Sequence, residues 1–208
     1  MHMNRQSAGL GSLLLALSAT NAAAHHVMGG RMPATFMNGL LSGLGHPIIG
    51  IDHFAAVVAV GCLAGMHKAG PALVIGFIAV MMAGVALHLH GASLPAAELL
   101  VAITVIALGA LLVGNRQMPT APVLTLFALV GLVHGYALGE SIYGAEPTPI
   151  YAYLIGLTVV QCAIALVAMK IARGLADEPA TLSPLRLVGA GIAGVGLAVL
   201  VQHVVPTV

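Results

Sequence analysis

Apolar residues run along this chain in long blocks. Six of them cover about 34–65, 70–91, 95–114, 119–139, 149–172 and 184–205, and glycine, proline and the few charges collect at their edges. Each block reaches the roughly 20 residues that carry a helix across a bilayer. Gly and Pro at nearly every boundary act as breakers. The first block is long enough for a short approach helix ahead of the span proper, with a break expected near Gly45-His46-Pro47. The connections are short, which leaves no room for a soluble domain. The pattern predicts an all-α polytopic membrane protein. Its six transmembrane helices form one bundle, with a broken or re-entrant start to the first span.

Ahead of these blocks the N-terminus has its own layout. Arg5 precedes the apolar run Leu10 to Ala19, and Ala22 and Ala24 offer the small residues of an A-x-A cleavage site. That is the order of a secretory signal peptide, expected to be cut after Ala24. Residues 1–24 are then the leader and 25–208 the six-span domain. An uncleaved first span over about 8–28 is the alternative.

Composition agrees with the blocks. Apolar residues make up 60% of the 208 and charged residues 6%, against about 25% charged in an ordinary soluble domain. The formal net charge of +1 supplies no basic field for nucleic acid. The lipid bilayer is the partner this composition requires, and self-association into a homo-oligomer stays open. With the mature N-terminus outside, the inward loops hold Lys68, Arg116, Lys170, Arg173 and Arg186, and the outward side only Arg31. Lys and Arg favour the cytoplasmic side. Both termini are therefore expected outside.

Histidine is the residue in excess, with ten against six acidic and seven basic residues. On the predicted topology His25, His26, His46, His53, His88, His90, His134 and His203 all fall toward the outer face. Glu98 opens the third span there and Glu140 closes the fourth. Only His67 falls on the cytoplasmic side of the mature chain. Independent structural histidines would not segregate in this way.

An ionisable residue within a span costs about 2.5–3.5 kcal/mol at the bilayer centre on insertion scales. Asp52 faces that penalty most directly. It is either an oxygen ligand beside His53 or the group that orients an imidazole. His46 and His53 are seven residues apart, about 10 Å along a regular helix. They meet at one ion only if the helix breaks, and Gly45, Pro47 and Gly50 provide the means. His88 and His90, two apart, point to nearly opposite sides of a helix unless it has already ended. Several helices must therefore build any single site.

Imidazole with carboxylate suits Zn, Ni, Co, Cu or Fe better than Mg or Ca, and the absence of thiolate suits an ion that must be released. Cys62 and Cys162 read as small packing residues. The same holds for Met28, Met32 and Met37, which could otherwise offer Cu(I) thioethers. Gln161, in mid-span, is either an interhelical hydrogen-bonding residue or part of an ion pathway. His203 is a helix-end residue with a second reading as a ligand. Glu146, Asp177 and Glu178 read as solvated loop charges. The glycines of "GAGIAGVG", Gly189 to Gly196, read as close-packing positions. Cleavage after Ala24 would give His25 a free α-amine beside its imidazole, a chelating pair that His26 could extend at the outer mouth.

Three stretches together, "GLGHPIIGIDHFAAVVAVG", "PAAELL" and "HGYALGE", in a six-span chain behind a signal peptide, resemble the HupE/UreJ family of small nickel or cobalt permeases. The resemblance covers essentially all of the mature chain, and its His-Pro-x-x-Gly-x-Asp-His motif is the specific part. It implies that His46, Asp52 and His53 are ligands on a metal pathway. It also implies a companion role for Glu98 and a contribution from His134 with Glu140. Larger nickel/cobalt transporter families use His-x4-Asp-His, whereas five residues separate His46 from Asp52 here. Leu138 stands where some relatives carry a second histidine, Glu140 is shifted by one, and Gln161 replaces a histidine found in others.

With that resemblance, these features lead to the expectation of a permease in a bacterial inner membrane, with Ni²⁺ or Co²⁺ as the transported ion. Zn²⁺ is expected to be able to substitute, and neither a permanently bound cofactor nor a catalytic residue is expected. The competing reading is a membrane-embedded zinc-dependent hydrolase built on the same His/Asp cluster. Haem held by two histidines is a third. No G-x-x-x-x-G-K-[ST] nucleotide-binding motif is present. Movement would then be downhill, or coupled to membrane potential or protons.

Overall fold

The structure is a computed structural model that describes residues 32–114, 118–175 and 184–205. The expected leader, His25, His26, Met28, Arg31, Arg116, Asp177 and Glu178 lie outside the described residues. Lipid offers no hydrogen-bond partner, so an apolar segment must satisfy its backbone internally, and a helix does so. Seven α-helices follow among the described residues. They are α1 (Phe36–Ile49), α2 (Ile51–Gly65), α3 (Gly70–Leu89), α4 (Ala97–Gly114), α5 (Thr120–Gly139), α6 (Pro147–Gly174) and α7 (Pro184–Val204). A 3₁₀ turn, Glu140–Ile142, extends α5. Five single helices and the bent pair α1–α2 supply the six spans. Their ends fall within two residues of those expected from the apolar blocks. Local chemistry sets them: the Thr35 hydroxyl caps α1 by accepting from the Asn38 N–H at 3.2 Å, and prolines occupy the first turns of α3 and α6.

The break in the first span lies at Gly50, four residues beyond His46, and not at Gly45-His46-Pro47. α1 carries Pro47 in its last turn, where the missing N–H forfeits a single bond. The chain turns at Gly50, whose ψ of 95° leaves the helical region and bends the two axes by 76°. Glycine suits the corner because a Cβ there would lie only 3.0 Å from His53 Cδ2.

α3 packs along α5, α4 along α7, and α6 along both α1 and α2. Exchanging the first three spans for the last three leaves these pairings unchanged, the pattern that an inverted repeat of three spans would give. Backbones approach closely at glycine. A Cβ at Gly43 would collide with the Tyr153 carbonyl, and one at Gly61 with the Ala165 carbonyl. α2 is the central helix, touching α3, α4, α6 and α7, and its stretch Ala55–Ala64 is buried but for Val58. Large apolar side chains such as Ile75, Leu129, Val159 and Leu187 face outward, where lipid would receive them.

The two ends of the bundle differ. At one end Arg173 Nη2 donates to the His67 carbonyl at 3.3 Å and Arg186 Nε to the Val113 carbonyl at 2.9 Å. A depression of about 410 Å³, lined by Gly65, Met66, His67, Lys68 and Arg173, opens there. The opposite end holds the remaining described histidines.

Candidate metal centre

The bend at Gly50 brings together what a straight helix would keep apart. His46 closes α1 and His53 opens α2, and their ring centroids are 5.9 Å apart. His53 reaches across to α5, where its Nδ1 lies 3.0 Å from Nδ1 of His134. His134 is fully enclosed, and His46, Asp52 and His53 are each no more than 5% exposed. Asp52 sits in the first turn of α2, where the helix N-terminus favours a negative charge. Its Oδ1 accepts the backbone N–H of His53 at 2.8 Å.

Hydrogen bonds around this centre fix the imidazole of His134. The Thr104 hydroxyl donates to the Val101 carbonyl at 2.7 Å, so its oxygen accepts Nε2–H of His134 at 3.0 Å. His134 then presents a lone pair at Nδ1, toward His53. Without an ion, His53 Nδ1–H donates across that contact. The same spacing also suits two ligands of one ion: metal–nitrogen bonds of about 2.0–2.1 Å at a right angle place the nitrogens about 2.9 Å apart. On the other side, Tyr153 holds His46. The phenol donates to the Leu138 carbonyl at 2.8 Å, accepts from Ser141 Oγ at 3.1 Å, and lies 3.4 Å from His46 Nδ1. Among the described residues, no three His, Cys, Asp or Glu side chains close tightly enough to hold an ion as they stand. The paired nitrogens of His53 and His134 are the seed; the His46 ring stands beside that of His53, and Asp52 precedes His53 in the chain.

Glu98 and His203 form a separate pair at the same end of the bundle. His203 Nε2 bonds Glu98 Oε2, tying the end of α7 to the start of α4. The loop ahead of Glu98 is pinned: Tyr136 OH donates to the Ala92 carbonyl at 2.8 Å and accepts from the Leu94 N–H at 3.0 Å.

The other candidate ligands engage different partners. α3 ends at Leu89, and His88 and His90 diverge. His88 lies between Tyr136 and Tyr143, with centroid distances of 4.5 and 5.3 Å. His90 is exposed, with Nδ1–H donating to the Ala86 carbonyl at 2.7 Å. Glu140 is exposed at the 3₁₀ turn. Gln161 is buried in α6. His25 and His26 lie outside the described residues. Cys62 is buried and Cys162 half-buried, both as free thiols.

Thr104 and Tyr153 are the site residues that the sequence reading did not single out. Thr104 carried a signal, as the only hydroxyl in α4. Tyr153 gave none, since its role depends on α1 packing against α6. Thr104→Val keeps the shape and removes the acceptor of His134 Nε2–H. Partners of this kind support metal affinity by about 10–100-fold. Co²⁺ titration of the purified variant should therefore show affinity down about tenfold, and unchanged affinity would remove Thr104 from the site.

Fold and centre together define the class: a multi-pass helical membrane protein with a buried, histidine-rich polar centre. Within that class the chain belongs to the HupE/UreJ family of nickel/cobalt transport-associated proteins. Residues 13–199 match the family described as HupE / UreJ protein. The chain is also similar to "Protein HupE" of Rhizobium leguminosarum bv. viciae. The two are 30% identical over 167 residues, covering 79% of this chain and 85% of that protein. No solved structure matches.

Proposed function

We propose that this protein is a permease, not an enzyme, and that it carries Ni²⁺ or Co²⁺ across the bacterial inner membrane. The observation that carries the reading is the buried pair of imidazoles, His53 and His134, joined across α2 and α5 at 3.0 Å. Burying ionisable groups in a span is costly, and a divalent cation is the partner that turns the cost into function. Borderline nitrogen donors with one carboxylate select late first-row ions over Mg²⁺ or Ca²⁺.

The ion enters at the end bearing Glu98 and His203, helped at the outer mouth by His25 and His26. It passes to His46, Asp52, His53 and His134 and leaves at the basic end. Lys68, Lys170, Arg173 and Arg186 support reading that end as cytoplasmic, since Lys and Arg favour the inner side. Both termini then lie outside. The test is direct: purified protein in liposomes should accumulate Ni²⁺ or Co²⁺ down a gradient, and protein-free liposomes should not. Equal entry into both would overturn the reading.

The donor set also predicts a pH dependence. Imidazole ligates only when neutral, and its reference pKa is about 6.5. Protonation removes the lone pair, so uptake is lost as pH falls through the imidazole range and recovers as it rises. Initial uptake rates compared between about pH 5 and 8 check this. A flat profile would mean that protonation of the imidazoles does not limit uptake in this range.

A further inference from the structure

Among the described residues, one wholly enclosed side-chain amide lies outside the histidine centre. Gln161 is wholly enclosed in α6, and among the described residues neither its amide oxygen nor its amide nitrogen meets a hydrogen-bond partner. An amide in that position is unfavourable for the fold alone. The interhelical hydrogen bond that would explain it is not made.

Its position is specific. Tyr153, Leu157, Gln161, Ala165 and Met169 recur every four residues and are all buried, so they form one face of α6. A Cβ on Gly43 of α1 would strike this face at Tyr153 and Leu157, and one on Gly61 of α2 at Ala165. Gln161 therefore faces the seam between α1 and α2. It is eight residues past Tyr153, which touches His46, and thus about 12 Å further along α6 toward the basic end. Beyond it, the buried residues of α6 are all apolar: Ala165, Ala168, Met169 and Ala172.

We infer that Gln161 is the inward relay of this pathway. Its amide oxygen takes the divalent ion as it leaves the histidine centre and releases it toward the basic end. The inference rests on the permease reading. A neutral amide oxygen is a weaker ligand for Ni²⁺ or Co²⁺ than imidazole. A weak second stop is what conduction needs, because an ion held equally well at every stop would not leave.

The test uses Gln161→Leu, which matches the volume and removes both unpartnered atoms. Full-length wild type and variant are compared for Co²⁺ uptake in liposomes, for Co²⁺ binding by visible absorption, and for thermal unfolding in detergent. The relay predicts binding near wild type, an unfolding midpoint unchanged or raised, and an uptake rate down about tenfold. Gln161→His should bind Co²⁺ at least as tightly as wild type yet transport it more slowly, because the second stop now traps the ion. If uptake by Gln161→Leu stays within about twofold of wild type, the relay is wrong. It is equally wrong if the midpoint drops along with uptake, since the amide is then a structural group. A wild-type protein that moves no metal overturns the permease reading itself, a separate result from an active wild type with an active variant.

Discussion

His53→Ala is expected to reduce Ni²⁺ and Co²⁺ uptake by more than about a hundredfold, beyond the range typical of residues that only support a ligand. His53 is the hub of the centre. Its Nδ1 meets His134, its ring stands 5.9 Å from that of His46, and its N–H holds Asp52. No neighbour replaces it. The alanine variant also leaves His134 Nδ1 buried opposite a gap, which costs about 1–3 kcal/mol, so lost uptake could be blamed on folding. His53→Asn separates the two effects. Its side-chain oxygen or nitrogen reaches the region of the lost Nδ1 and can bond His134, while ligating a late transition ion poorly. The asparagine variant should therefore unfold near the wild-type temperature and still fail to transport. Wild-type uptake in either variant would remove His53 from the pathway.

Much of this architecture was legible in the residues themselves. The apolar blocks set the spans to within two residues, because in lipid the backbone has no alternative to an internal helix. The need for a break between His46 and His53 was also legible, since a straight helix holds them too far apart. Its position was not. Pro47 was the obvious breaker, yet a proline in the last turn of a helix disturbs little. The corner fell to Gly50, where the absence of a side chain makes room for His53.

The one-sided segregation of histidine was visible as well, but which histidines meet was not. His88 lies one residue before the end of α3 and His134 five before the end of α5, and what each meets depends on the rotation of its helix, which the residues alone do not give. That rotation gives His88 to Tyr136 and Tyr143 and gives His134 to His53. Thr104 and Tyr153 join the site through the same long-range packing.

That packing is where the second large effect is expected. Gly131, Gly135 and Gly139 recur every four residues along α5, and the first two face α3 at its backbone. A Cβ at Gly135 would overlap the Met81 carbonyl oxygen, and backbone of a neighbouring helix cannot swing aside as a side chain can. Gly135→Ala must push α3 and α5 apart, at a cost of about 1–3 kcal/mol for one methyl group forced into a packed interface. Gly135 directly follows His134, so the displacement also pulls His134 Nδ1 away from His53. Stability and uptake should fall together. Gly191 on α7 is the control. It also lies in a glycine-rich run, but a Cβ there meets nothing within 4 Å, so Gly191→Ala should stay within about 0.5 kcal/mol of wild type. Thermal unfolding of the two variants in the same detergent checks the contrast. Equal midpoints would show that close backbone approach does not hold α3 to α5. A Gly135→Ala protein that is destabilised yet transports normally would show that the His53–His134 contact tolerates the shift and that the ion does not depend on it.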